Sequence, residues 1–200
     1  MAEIVLASCN DKYYDLYGAT FENSLKKINQ PYHIQICEDN PWNDVSYYAC
    51  ARYLILPEMI EEHGSVFVSD IDAIFFRPIP FPDTKIGYVE TQPKAFREEW
   101  EQRGMHLLAG VFFCSDVDIA VKIRDRILEL PHKWFVDQIA IWETVKNEES
   151  FTLINKPPRV PNQVMEEDFV VAPRGKGRGR SDAEHNKRMM MKQWIRFLKL

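Results

Sequence analysis

Apolar positions along this chain alternate between short unbroken runs and three- and four-residue steps. Glu3–Ser8 (EIVLAS) is a β-rich run of the kind buried on both faces of a parallel sheet. Asn10–Asp11 offers a helix cap, and Tyr13, Tyr17, Thr20, Phe21, Ser24 and Ile28 follow at helical spacing until Pro31 stops them. Tyr32–Cys37 (YHIQIC) predicts a second strand. Beyond Pro41–Trp42, the positions Val45, Tyr48, Arg52, Leu56, Met59 and Ile60 predict one helix from about Asp44 to Glu62, ended by His63–Gly64. Pro57 should kink or interrupt it, because proline removes a helical donor and crowds the preceding turn.

Ser65–Ser69 (SVFVS) is the next strand and runs directly into Asp70-Ile71-Asp72, after which Ala73–Phe76 is expected to continue extended. Pro78, Pro80 and Pro82 stiffen a connection. Lys85–Glu90 and Leu107–Cys114 (LLAGVFFC) predict strands, and Asp116–Leu130 a helix stopped by Pro131. A further helix covers roughly Val136–Val145, Phe151–Ile154 and Phe169–Val171 are short candidate strands, and Ser181–Leu200 predicts a closing helix with a capping box at Ser181 and Glu184. Alternating strand and helix in the first third imply a parallel sheet with helices on both faces, an α/β fold. No repeat or linker divides the 200 residues, so a single domain is expected.

Composition changes little in this picture: 46% hydrophobic residues describe a globular chain and exclude a disordered one. Charge changes more. From Val171 to Leu200 nine Lys and Arg face two acids, a local +7, which leaves −12 on residues 1–170 and −5 overall. A basic tail on an acidic body either meets something anionic or is a solvated face. Met1–Ser8 reads as a first strand rather than a targeting signal, and no apolar run approaches the roughly 20 residues of a membrane span. The scattered Cys9, Cys37, Cys50 and Cys114 predict reduced, buried thiols, and the expected location is cytoplasmic.

The sharpest chemical feature is Phe67-Val68-Ser69-Asp70-Ile71-Asp72. Two carboxylates one residue apart, at the end of an apolar strand, stand where a parallel sheet opens into its ligand crevice. On an extended chain both would point to one side and repel, and a divalent cation removes that conflict. Mg²⁺ or Mn²⁺ suits such a pair, taking one or two carboxylates plus diphosphate oxygens. The competing reading is a simple turn or cap. His33, His63, His106 and His132 show no metal-ligand spacing.

The stretch YYACARYLILPEM followed by VFVSDIDAIFFRPI resembles the nucleotide-diphospho-sugar transferases of the GT-A fold, in the manner of glycosyltransferase family 8. HLLAGVFFCSD is similar to their small-residue-Gly-Val strand, WFVDQIAIW to their Asp-Gln segment, and Ser8–Tyr13 to their first nucleotide-contacting loop, all in the right order. The resemblance implies a GT-A-like single domain with a mostly parallel central sheet flanked by helices. Residues 1–90 would form the nucleotide-binding half, 91–172 the acceptor half and 173–200 a basic loop and C-terminal helix.

It further implies a metal-dependent hexosyl- or pentosyltransferase that takes a nucleoside-diphosphate sugar as donor. Ala7, Ser8 and Tyr13 would hold the nucleoside, and Arg52 would reach the diphosphate or orient Asp70. Asp72 would be the principal ligand of Mn²⁺ or Mg²⁺, with Asp70 contacting ribose and metal. Ala109 and Gly110 would let a sugar approach the backbone, and Asp137 and Gln138 would sit beside the transferred sugar as the catalytic pair, with a slight lean to retention. The family's closing histidine and Gly-Lys pair have no clean counterpart. Lys176 and Arg178 in RGKGRGR would close over the diphosphate, and His185 is the third-ligand candidate.

Plainer readings stand beside these. Tyr13 and Arg52 also suit amphipathic helix positions, Gly110 a bulge, Asp137 a helix cap and His185 the surface. The acceptor is left open among a small molecule, a glycan and a modified DNA base. Rival functions are a nucleotidyltransferase or sugar-nucleotide hydrolase, against which the glycine-free ASCNDKYY loop weighs, and a catalytically inactive member of the fold. A further rival is a nucleic-acid-binding protein using its basic tail, or a transferase acting on a DNA base that combines both.

Overall fold

The computed structural model describes residues 3–90, 106–154 and 169–171. Strands β1 (Ile4–Cys9), β2 (Tyr32–Ile36), β3 (Val66–Ser69), β5 (Ile86–Glu90), β6 (Leu107–Cys114) and β7 (Phe151–Leu153) form one sheet in the order β2-β1-β3-β6-β5-β7. β1 runs parallel to both β2 and β3, β6 runs antiparallel to its neighbours β3 and β5, and β5 is parallel to β7. Five strands therefore point one way and β6 alone points back, the mostly parallel α/β architecture expected. β4 (Ile74–Phe75) and β8 (Val170–Val171) pair antiparallel in a separate two-stranded sheet.

Alternation along the strands builds two cores. Val5, Ala7 and Cys9 of β1, Phe67 of β3 and Val111 and Phe113 of β6 share one face with Phe21 and Leu25 of helix α2 (Ala19–Lys27). Ile4, Leu6, Val66, Val68 and Phe112 point the other way. They pack against helices α3 (Ser46–Leu54), α4 (Leu56–His63), α5 (Val117–Glu129) and α6 (Val136–Val145). Each fully buried Phe, Leu or Ile contributes about 1.5–3 kcal/mol. Phe67 makes edge-to-face contacts with Phe75 at a centroid separation of 6.1 Å and with Phe169 at 5.7 Å, which fastens the small sheet against β3. All four cysteines are free and buried, and no helix among the described residues is long and apolar enough to cross a membrane.

Three local expectations are corrected. The first helix is not uniform. It starts as α1 (Asp11–Tyr13), capped by Asn10, whose side chain accepts from the Tyr13 N–H at 3.0 Å. It then widens to a π-turn over Tyr14–Gly18 before α2. Here the Tyr14 ring lies against Gly18, where a Cβ would overlap it, and its hydroxyl donates to Glu22 at 2.6 Å.

The helix predicted over 44–62 is two, broken at Ile55, with Pro57 in the first turn of α4, where its missing N–H costs nothing. Gly64, at φ 84°, closes α4 with its N–H donating to the Ile60 carbonyl at 2.7 Å. Finally, the aspartate pair is not on an extended chain: Asp70–Ala73 is a turn, and the extended stretch expected at Ala73–Phe76 follows it as β4, paired in the second sheet.

Tyr53 ties the helical layer to the sheet. It is fully buried on α3, and its hydroxyl donates to the Ala109 carbonyl of β6 at 2.5 Å. Tyr53→Phe strands that carbonyl away from water, so a loss of about 1–3 kcal/mol is expected in urea unfolding. A change under a few tenths would mean that the bond adds nothing.

Candidate active site

The site lies where parallel strands β1 and β3 end and β6 crosses beside them, the edge at which open α/β sheets bind ligands. Helix α3 is fastened over this edge through Ser8 at the end of β1. The Ser8 hydroxyl donates to the Tyr48 carbonyl at 2.5 Å and accepts from the Arg52 N–H at 3.2 Å. That anchorage sets Arg52, only 2% exposed, pointing into the crevice.

Its guanidinium collects the site. Nη1 donates to the Ser69 carbonyl and to Asp70 Oδ1, both at 2.9 Å. Nη2 stands 3.8 Å from Asp137 Oδ2 at the start of α6. Burial disfavours the charge on Arg52, but Asp70 and Asp137 more than restore it, and its pKa stands above the ordinary value. Asp137 is displaced the other way. Burial raises its pKa, the nearby Arg52 opposes this, and Asp70 adds repulsion in the same direction as burial. The two carboxylates thus differ in setting: Asp137 is nearly sealed, whereas the Asp70 side chain is 33% exposed at the mouth.

Asp70 has room for that position because of Gly110. Ser69 pairs with Val111 in the antiparallel β3–β6 ladder, which brings Gly110 beside Asp70. A Cβ on Gly110 would overlap the Asp70 carboxylate, with Oδ1 only 2.8 Å away. Gly110 therefore makes space for a protein carboxylate, beyond the close approach of a sugar expected from sequence. Asp72 follows within the turn, in which the Ala73 N–H donates to the Asp70 carbonyl at 3.1 Å. The two aspartates are set by a turn, not by strand alternation.

The other predicted residues take varied positions. Ala7 is completely buried in the core, and Ser8 is 5% exposed with its hydroxyl engaged as described. Tyr13 is 52% exposed at the first turn of α1. Ala109 is buried and serves as the acceptor for Tyr53. Asp137 is not the cap of α6, because Phe135, in the left-handed region at φ 74°, holds that place. Instead, Asp137 Oδ1 accepts from the Gln138 N–H at 2.8 Å. Among the described residues, the buried Gln138 side-chain oxygen has no hydrogen-bond partner. Such an acceptor is costly to leave unmet and is satisfied at once by a ligand donor.

Lys176, Arg178 and His185 lie outside the described residues. Among the described residues no group of three or more His, Cys, Asp or Glu is gathered to hold a metal ion. Asp70 and Asp72 on one turn remain a fitting oxygen donor set for Mn²⁺ or Mg²⁺ completed by substrate phosphate. Sequence reasoning missed Tyr53, the Ser69 carbonyl and the purpose of Gly110. Only the adjacency of Tyr53 to Arg52 on one helix hinted at any of these.

This architecture is that of the GT-A glycosyltransferases, and solved structures of that class superpose on it. A glycosyltransferase involved in the glycosylation of the major capsid of PBCV-1 matches at TM-score 0.67 and 14% identity, over 94% of this chain and 99% of that one. The galactosyltransferase LgtC, in complex with donor and acceptor sugar analogs, matches at TM-score 0.52 and 13% identity, over 95% of each chain. A mutant of Drosophila β1,4-galactosyltransferase 7, in complex with manganese, UDP-Gal and xylobiose, matches at TM-score 0.52 and 9% identity, over 91% of this chain and 75% of that one. No protein-family model matches the sequence, and no curated protein does.

Two substitutions test the geometry. Gly110→Ala should cost about 1–3 kcal/mol by overpacking against Asp70. Gly87→Ala should cost less, since a Cβ there meets its neighbours at 3.2–3.3 Å. Equal losses on urea unfolding would refute the close fit of Asp70.

Asp137 predicts a pH dependence of stability in chelator-treated protein. With its folded pKa raised above the ordinary 3.8, the native state holds this proton where the unfolded chain has released it. Its contribution is therefore complete below about pH 4 and lost as pH rises through the raised value. Asp137→Asn should flatten that decline, and an unchanged slope would remove the assignment.

Proposed function

We propose that the protein is a metal-dependent glycosyltransferase that moves a sugar from a nucleoside-diphosphate sugar to an acceptor hydroxyl. The observation that carries this reading is Asp70, held by buried Arg52 and relieved by Gly110 at the ligand edge of a GT-A sheet. The neighbours of the same fold include an enzyme crystallised with manganese and UDP-Gal. Asp72 and Asp70 would hold Mn²⁺ or Mg²⁺, and the cation would neutralise charge developing on the departing diphosphate.

Each residue then has a distinct task. Arg52 fixes the Asp70 carboxylate and cannot itself reach the diphosphate while engaged with Ser69, Asp70 and Asp137. Ser8, with its hydroxyl committed to α3, supports the nucleoside site by positioning Arg52, and exposed Tyr13 offers a ring for the base. Lys176 and Arg178 would supply cations to the phosphates. His185 would add a third ligand.

Asp137 is buried and faces Arg52, a setting that disfavours a general base working on an incoming acceptor. The Gln138 side-chain oxygen, buried and without a partner among the described residues, is the group that would meet a hydroxyl or the developing positive charge of the transferred sugar. Both features support retention of anomeric configuration.

Calorimetric titration of nucleoside diphosphates and sugar nucleotides, with and without Mn²⁺, tests the donor site. Metal-dependent binding is expected for the wild type, with loss in Asp72→Ala. Absence of binding to every nucleotide under every metal condition would refute the reading.

A further inference from the structure

In a helix as regular as the sequence predicts, residues seven and eleven apart share one side, because each residue turns the helix by about 100°. Tyr14 would then align with Phe21 and Leu25, through which α2 faces the sheet. Tyr13 would stand about 100° aside. The structure does otherwise. The π-turn over Tyr14–Gly18 holds one residue more than an α-turn, so everything before it is carried round by one position. Tyr13 takes the side of Phe21 and Leu25, and Tyr14 is turned away from it.

Two contacts agree with this rotation. The Tyr13 ring lies 6.0 Å from that of Tyr17, which is buried in one core with Phe21 and Leu25. Tyr14 reaches Glu22 at 2.6 Å. A regular helix would set that pair about 80° apart, and the extra residue brings it to within about 20°.

What keeps the turn open is gathered at Glu22. One carboxylate oxygen accepts from the Tyr14 hydroxyl, and the other accepts from Lys26 at 2.8 Å and from Tyr32 of β2 at 3.0 Å. Lys26 and then Tyr14 hold the Glu22 pKa below the ordinary carboxylate value, so it is an ionised acceptor at neutral pH. Tyr32 joins the cluster to the sheet, and its ring meets Phe21 edge-on at 6.5 Å. Gly18 completes the fit, since a Cβ there would stand 2.5 Å from the Tyr14 ring.

The side that Tyr13 gains overhangs the ligand edge. Asn10 follows the carboxyl end of β1 and caps α1 through the Tyr13 N–H, so the first turn stands beyond the sheet rather than upon it. There the Tyr13 ring is exposed, while Tyr17 is buried.

We infer that Tyr14 and Glu22 are positioning residues: they hold the π-turn that presents Tyr13, and not Tyr14, at the ligand edge, where its ring stacks on the base of a nucleoside diphosphate. The ligand rests on the transferase reading. The choice between the two tyrosines rests on the turn alone.

The test is calorimetric titration of the full chain with the diphosphates of uridine, guanosine and adenosine in Mn²⁺, beside manganese pyrophosphate, which has no base. Glu22→Ala and Tyr14→Phe release the turn, and each should weaken the best-bound nucleotide on the order of tenfold, the worth of one stacked base. Glu22→Gln keeps an acceptor for Tyr14 and should lose less. Pyrophosphate should bind every variant as it binds the wild type. Deleting Asp15 closes the turn to an α-helix without rotating Tyr13, so it should restore nucleotide binding to Glu22→Ala. A merely structural lesion would be worsened by the deletion.

Ligand-free NMR reads the turn itself. Ring contacts between Tyr14 and Tyr32, whose hydroxyls share Glu22, should vanish in Glu22→Ala and return with the deletion. Their persistence in Glu22→Ala overturns the inference. So does equal nucleotide binding by Glu22→Ala and wild type, an equal loss of pyrophosphate, or no rescue by the deletion. A wild type that binds no nucleotide refutes the transferase reading and removes the ligand with it, a failure recognised by ring contacts that still behave as expected.

Discussion

The guanidinium of Arg52 sits where solvent does not reach it, and a charge taken so far from water destabilises a fold unless opposite charge comes with it. Here that charge comes from two separate elements, Asp70 at the end of β3 and Asp137 at the start of α6. Removing one partner of a buried pair generally costs about 3–5 kcal/mol, so the three elements are bound to one another by more than their apolar contacts. The Ser69 carbonyl and the Ser8 hydroxyl extend the same constraint into the ends of both parallel strands. The geometry of the crevice follows from satisfying one cation.

Among the described residues, Arg52 faces Asp70 and Asp137, and Asp72 adds a third carboxylate from the adjoining turn. Asp70 is partly exposed at the mouth, whereas Asp137 is sealed against Arg52 in the depth. On the proposed transferase reading, a divalent cation held by Asp70 and Asp72 would let a diphosphate approach these carboxylates. Burial raises the pKa of Asp137, and the neighbouring Arg52 opposes that shift.

The single reversed strand explains how so short a chain assembles such a site. A wholly parallel sheet would bring the ends of its strands together, whereas β6 presents its interior beside the end of β3. A glycine in mid-strand can then lie against an aspartate at a strand end, and the backbone approaches the carboxylate as closely as the missing Cβ permits. Tyr53 holds the neighbouring residue of β6 from above, so the position of Gly110 is fixed by a buried hydrogen bond one residue away.

The sequence determined the elements and their order, because apolar runs, helical spacing, caps and breakers are local signals. Thus the buried strands β1, β3 and β6, helices α5 and α6 and the ends set by Pro31, Gly64 and Pro131 were legible from residue types alone. The aspartate pair and Arg52 could be named as well, since charge beside apolar runs is conspicuous.

What the sequence left open depends on contacts between residues far apart in the chain. Whether Arg52 meets a phosphate or an aspartate is decided by 18 residues of separation folding to 2.9 Å. The strand expected after Asp72 forms as β4, but that it leaves the main sheet to pair with β8, almost a hundred residues on, is not written in its own residues. Gly110 reads as a bulge or a sugar contact until the β3–β6 register sets it against Asp70. Local chemistry writes the elements, but only the tertiary fold decides which buried charge faces which, because that choice is made by the desolvation of the whole crevice.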